Sequence, residues 1–309
     1  MSSSPTAAAT PVKAEPAAKA GGLGMGPSAA AKGASLPAWC PAWAERLGDA
    51  YLSGTSCMFL LHGNVRDLVP LAPPGPDETW GTVPDFLSRE LFGQWDLVLA
   101  YDVGKGLRPL AGADGNRLRA MVQWLTERLG PAVNWPRDPD AAIAAIDGLL
   151  ERNLIDPPEQ RKRIAVVLDY AQYLAPAGDA ASAAKAGAGR LVRLLAWATN
   201  PLLRRVNVAI VLVADAIAEM HPRLVTNPAV TAVDLPLPDA EDRDRFAVAT
   251  AKATGMPAGL MDAVKRTAAL SGGLTLESLR AVITMSARDR KSTRLNSSHE
   301  WISRMPSSA

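Results

Sequence analysis

The chain has 309 residues, 48% of them hydrophobic, enough for one sizeable core and a small second one. Two cysteines and three histidines exclude a disulfide framework and a structural zinc ligand set, so Cys40 and Cys57 read as small core hydrophobes. The net charge of +2 belongs to the ends: residues 1–35 carry +2 and residues 288–309 carry +3, which leaves a body at −3 with no basic footprint for nucleic acid.

Residues 1–35 are almost entirely Ala, Gly, Pro, Ser, Thr and Lys, a composition that predicts a disordered tail. They hold no apolar stretch of signal-peptide type, and nowhere does an apolar run approach the ~18 residues of a membrane span. The expected location is therefore cytoplasmic, without membrane contact.

From residue 36 the chain alternates short apolar runs with helical patterns. The runs are "CMFLLH" (57–62), "WDLVLAYD" (95–102), "IAVVLD" (164–169), "NVAIVLVAD" (207–215) and "VTAVDL" (230–235). Continuous rather than alternating apolarity predicts parallel strands covered on both faces. Between them, "NRLRAMVQWLTERLG" places Leu118, Met121, Val122, Leu125 and Leu129 on one stripe, and "DPDAAIAAIDGLLERN" opens with Asp138 as N-cap and Pro139 at the first helical position. "AGRLVRLLAWATNPLLRR" supplies a further helix, and Trp39, Trp43, Trp95, Trp124 and Trp197 read as packing groups. The expected fold is α/β, a five-stranded parallel sheet flanked by helices over residues 36–236. Ligands of such sheets bind beyond the carboxyl ends of the strands, so His62, Asp102, Asp169 and Asp215 are expected on one rim.

After the fifth strand only helices follow, over 239–255, 258–272 and 275–288, introduced by "PLPD" with Asp239 as a cap. They predict a small helical lid over 237–288. Beyond it, "DRKSTRLNSSH" (289–299) and "ISRMPSSA" (302–309) resemble two blocks of a sequencing-library adapter translated in one frame. Residues 289–309 are accordingly expected to be an artefactual tail, with the natural protein continuing past this N-terminal fragment.

Three motifs separate the function classes. "LLHGN" is similar to the His-Gly turn of an α/β hydrolase, but no G-x-S-x-G nucleophile elbow exists. "GKG" at 104–106 follows the second strand, yet lacks the third glycine of a dinucleotide fingerprint. "RIAVVLDYAQYLAP" (163–176) has four apolar residues feeding Asp169, the form in which a strand-end carboxylate holds Mg²⁺.

With "NVAIVLVAD" as a sensor strand, then "PLPDAEDR" and "GGLTLESLR" (272–280), the order of elements resembles the AAA+ ATPase family over about residues 36–288. The resemblance implies a P-loop-like sheet, with ATP and Mg²⁺ as cofactors. On it, Asp169 takes the metal-binding Walker B position and Asp215 the sensor position, while His62, Gly63, Asn64 and Lys105 are candidate phosphate contacts. Arg66 is a further charge at that turn, and Arg223 a candidate finger toward a neighbouring subunit.

The departures point away from catalysis. Gly-Lys-Ser/Thr occurs nowhere; "HGNVRD" stands in the place of the phosphate loop, and Tyr170 follows Asp169 where an acidic base belongs. The chain looks like the degenerate first module of a two-module AAA protein. ATP hydrolysis is then expected in a missing second module, whereas this module is expected to serve assembly or partner binding, with other AAA subunits, that second module or another protein as partners. The alternatives are an autonomous ATPase with an atypical loop, and an inactive clamp-loader-like subunit.

Overall fold

The computed structural model describes residues 36–75, 78–178 and 187–288. The expected tails at 1–35 and 289–309 lie outside these residues.

The main sheet is built from β1 (Met58–Gly63), β4 (Leu97–Asp102), β5 (Gly106–Pro109), β6 (Ile164–Asp169), β7 (Val208–Val213) and β8 (Val230–Leu235), in the order β5-β4-β6-β7-β1-β8. All neighbours are parallel except β4 and β5. The five expected strands are all present, and each lies within two residues of its predicted bounds. The antiparallel β5 is an addition: the "GKG" segment is a tight turn that sends the chain back along β4.

Burial explains the parallel arrangement. β4 and β7 are buried throughout, and β6 up to its last residue, because helices cover both faces. These helices are α1 (Ala42–Leu52), α3 (Gly115–Leu129), α4 (Pro139–Ile155) and α5 (Ala188–Thr199). Asp114 caps α3 through the Asn116 and Arg117 N–H groups, and Asp138 caps α4 through Ala141 N–H with Pro139 at its first position. The stripe of α3 is narrower than its spacing suggests, with Met121 and Leu125 buried and Leu118 40% exposed. Trp43, Trp95 and Trp197 are core residues, and Trp39 and Trp124 pack half-buried against that core.

The crossover from β1 to β4 differs from a simple strand–helix–strand unit. After β1 the chain makes an antiparallel hairpin, β2 (Leu68–Pro70) with β3 (Trp80–Thr82). It then enters α2 (Val83–Phe86), which runs on as a π-helical turn over Leu87–Leu91. Thr82 and Asp85 form a capping box at the start of α2. No long helix therefore begins at the carboxyl end of β1.

Beyond β8, α7 (Ala240–Ala253), α8 (Met261–Leu270) and a last helix, α9 (276–288), pack around a separate core. Phe246, Ala247, Val264, Ala268, Leu276 and Leu279 are among its buried members. Asp239 caps α7 through Asp242 N–H, as its position predicts. Arg243 is buried, donating to the Pro238 and Ala268 carbonyls, and so ties the joint to the end of α8. Among the described residues no helix is long and apolar enough to cross a membrane.

Candidate functional site

The sheet brings the expected rim together only in part. β1 and β6 both border β7, so the turn after β1 sits near Asp169, at the end of β6, and Asp215, just past β7. Asp102 and Lys105 belong to β4 and its turn, three strands from β1, roughly 14 Å at about 4.8 Å per strand. Lys105 is exposed there and is not grouped with His62, Gly63 and Asn64. Asp102 serves the β4–β5 turn: it accepts from the Gly104 and Lys105 N–H groups and pairs with Arg108 at 2.7 Å. Burial works to raise its pKa, but these donors outweigh burial and hold it below the ordinary value.

The turn itself is closed by backbone bonds. Gly63 has φ +92°, and a Cβ there would lie 2.7 Å from Asp234 Oδ1 and 2.8 Å from the Leu235 carbonyl, so only glycine fits. Gly63 N–H donates to the Asp215 carbonyl at 3.2 Å and Asn64 N–H to the Leu235 carbonyl at 2.9 Å. Val65 N–H donates to the Gly63 carbonyl at 2.8 Å, and Asp67 N–H to the Asn64 carbonyl at 3.4 Å. These are the groups that a phosphate-binding loop must leave free. Here each already has an acceptor.

The side chains continue the pattern. His62 Nδ1 lies 3.4 Å from Asp234 Oδ1, and Asn64 Nδ2 donates to Asp67 Oδ2 at 2.9 Å. Arg66 reaches over the sheet ends, with Nη1 2.6 Å from Asp169 Oδ1 and Nε 2.5 Å from Asp215 Oδ1. Gln172 Nε2 donates to the other Asp215 oxygen at 2.7 Å. Partial burial disfavours the guanidinium charge, yet the hydrogen bonds that Arg66 donates to both carboxylates outweigh it and keep its pKa above the usual value. Asp215 thus meets a cation supplied by the chain itself.

Tyr170 completes the arrangement. It is the one described non-glycine residue in the left-handed region, at φ 53°. That conformation costs about 1–2 kcal/mol for an L-residue. The strain turns its ring over Arg66, whose guanidinium carbon lies 3.7 Å from the ring centroid. Where a hydrolytic site of this type places a carboxylate base, this chain places an aromatic lid on its own arginine.

The residue after Arg66 serves a different element. Asp67 is 2% exposed, and its carboxylate accepts Leu276 N–H at 2.8 Å and Glu277 N–H at 3.0 Å, at the start of α9. Beside it, a cleft of about 310 Å³ runs between the entry to α1, the turn and the 236–239 joint. Trp39, Asn64, Asp67, Trp80, Pro236 and Arg245 are among its walls, and Asp169 and Asp215 are not.

A family model described as "AAA+ chaperone, N-terminal Rossmann-like domain" matches residues 32–236, more than half of the chain. The chain belongs to this AAA+ chaperone family. No curated protein matches it. For this AAA+ module the expected order of elements is therefore present, and Arg223 sits exposed on α6 (Pro222–Val225), between β7 and β8. Sequence reading missed Asp67, Gln172, Glu78 and Arg245. Nothing in local sequence marks them, because the partners of Asp67 stand 209 and 210 positions away.

Proposed function

We propose that this AAA+ chaperone module works without hydrolysing ATP, as an assembly and partner-binding unit of a larger AAA+ protein. ATP and Mg²⁺ then act in a second AAA module outside this chain, and the partners are that module, other AAA subunits or a client protein. The observation that carries this reading is Arg66 bound to both Asp169 and Asp215.

A Mg²⁺–triphosphate needs three things at this rim: free backbone N–H groups, a lysine reaching the terminal phosphates, and a carboxylate open to the metal. The N–H groups of Gly63, Asn64, Val65 and Asp67 are engaged, the cation is an arginine already paired with two carboxylates, and the Walker B carboxylate faces that arginine. The residues present do not fit the nucleotide, so no catalytic step is assigned to them. What they do is fix charge: one guanidinium is shared by two aspartates.

The test is calorimetric titration of the chain with MgATP and MgADP, paired with a phosphate-release assay. The expected result is no saturable binding up to about 1 mM, the edge of weak affinity, and no turnover. Saturable Mg²⁺-dependent binding, with turnover abolished by Asp169→Asn, establishes instead an ATPase with an atypical loop.

A further inference from the structure

We infer that the turn after β1 holds the helical lid shut with its own side chains, Asp67 acting as a tethered anion at the N-terminus of α9. This rests on the reading of the module as one that works without nucleotide, and adds what replaces the nucleotide mechanically.

Three donors at the start of α9 are met by side chains. Four N–H groups open any α-helix without an intrahelical partner, and there the peptide dipoles favour negative charge. Leu276 and Glu277 N–H donate to the two oxygens of Asp67 and Ser278 N–H donates to Thr275 Oγ1 at 3.1 Å, while Leu279 N–H, bonded to the Thr275 carbonyl at 3.0 Å, opens the helix's own ladder. Two of these three donors are therefore met from the other core. A helix N-terminus is where a phosphate or carboxylate ligand is usually held; this one is filled from within the chain, by hydrogen bonds to a carboxylate four residues beyond the end of β1.

Arg66 and Asp67 are adjacent, and they point in opposite directions. Arg66 fastens the turn to β6 and β7, and Asp67 fastens it to α9. The hairpin after them adds a second attachment: Trp80 packs edge-on against Phe246 of α7 at 5.3 Å, and Arg245 of α7 pairs with Glu78 at 2.6 Å. The Glu78 carboxylate is 6% exposed, so this pair is sheltered from water. The segment that would build a phosphate loop and its helix has become a strap from the sheet to the lid. Lid position is then set by the chain, independently of nucleotide.

The experiment measures the distance between a spin label on the α/β core, at Val192→Cys on α5, and one on the lid, at Leu270→Cys on α8. Both sites are exposed, at 62% and 88%, whereas Cys40 and Cys57 are buried. The expected result is one narrow distance distribution, unchanged by 1 mM MgATP as the probe, that broadens in Asp67→Asn. In parallel, amides at 276 and 277 should exchange about tenfold faster in that variant, the factor implied by losing a hydrogen bond to a charged acceptor. A broad distribution in the unsubstituted turn that narrows with MgATP overturns the inference, and this arm stands even if Asp67→Asn fails to fold. A distribution unaffected by Asp67→Asn overturns it too, while leaving the proposed function intact. Saturable ATP binding with an unchanged distance does the reverse.

Discussion

Arg66 is the residue on which the rim depends. Its guanidinium fork serves two carboxylates on different strands while its face lies under Tyr170, a geometry that a lysine cannot copy. Removing it takes from Asp169 and Asp215 the cation they share. Because the Arg66 side chain is 35% exposed and Asp215 42%, solvent screening limits the effect. Arg66→Met is expected to destabilise the fold by about 2 kcal/mol, with Arg66→Lys recovering less than half of it, read from urea midpoints at constant slope. A loss below about 0.5 kcal/mol would mean that the network is a surface ornament. The cysteines behave as the composition implies: both are buried and unbridged, and burial pushes each thiol up to about 11. That is the condition of inert core thiols rather than reactive ones.

The turn and hairpin between β1 and β4 show how short elements escape sequence reading. β2 and β3 have three residues each and contain Pro70 and Gly81, so neither length nor propensity announces a strand. The long apolar strands, by contrast, were legible to within two residues, since burial on both faces demands an unbroken apolar run. Gly63 belongs to both worlds: its place at a strand end is visible, but its necessity comes from the close approach of β8. Gly63→Ala is expected to cost about 2–3 kcal/mol, from the positive φ together with the clash on Leu235, measured by thermal or urea unfolding. A near-neutral result would show that the turn relaxes freely. The capped helix starts at Asp138 and Asp239 were readable for the opposite reason, since a cap and its N–H partner lie three residues apart.

The described residues form two hydrophobic cores of very unequal size, a large one around the sheet and a small one within α7, α8 and α9. Local stability follows buried apolar contact, so the smaller unit should open below the global unfolding energy. Amides in α7 and α8 are expected to exchange through such a partial opening while those of β6 and β7 exchange only on global unfolding, distinguishable by the denaturant dependence of hydrogen exchange. One common exchange energy for both units would show instead that the strap and joint make them a single cooperative body.

Composition and periodicity were enough for the α/β class, the five parallel strands and the run of helices after them, because those signals reside in windows of a few residues. The missing Gly-Lys-Ser/Thr was equally plain as text. What replaced it was not. That Arg66 turns to Asp169 and Asp215, 103 and 149 positions away, and that Asp67 turns to α9, more than 200 away, follows from which strands become neighbours and where the lid packs. Such pairings form only once the sheet order places distant carboxylates and helix ends within hydrogen-bond reach, so the role of the turn was decided by the tertiary structure.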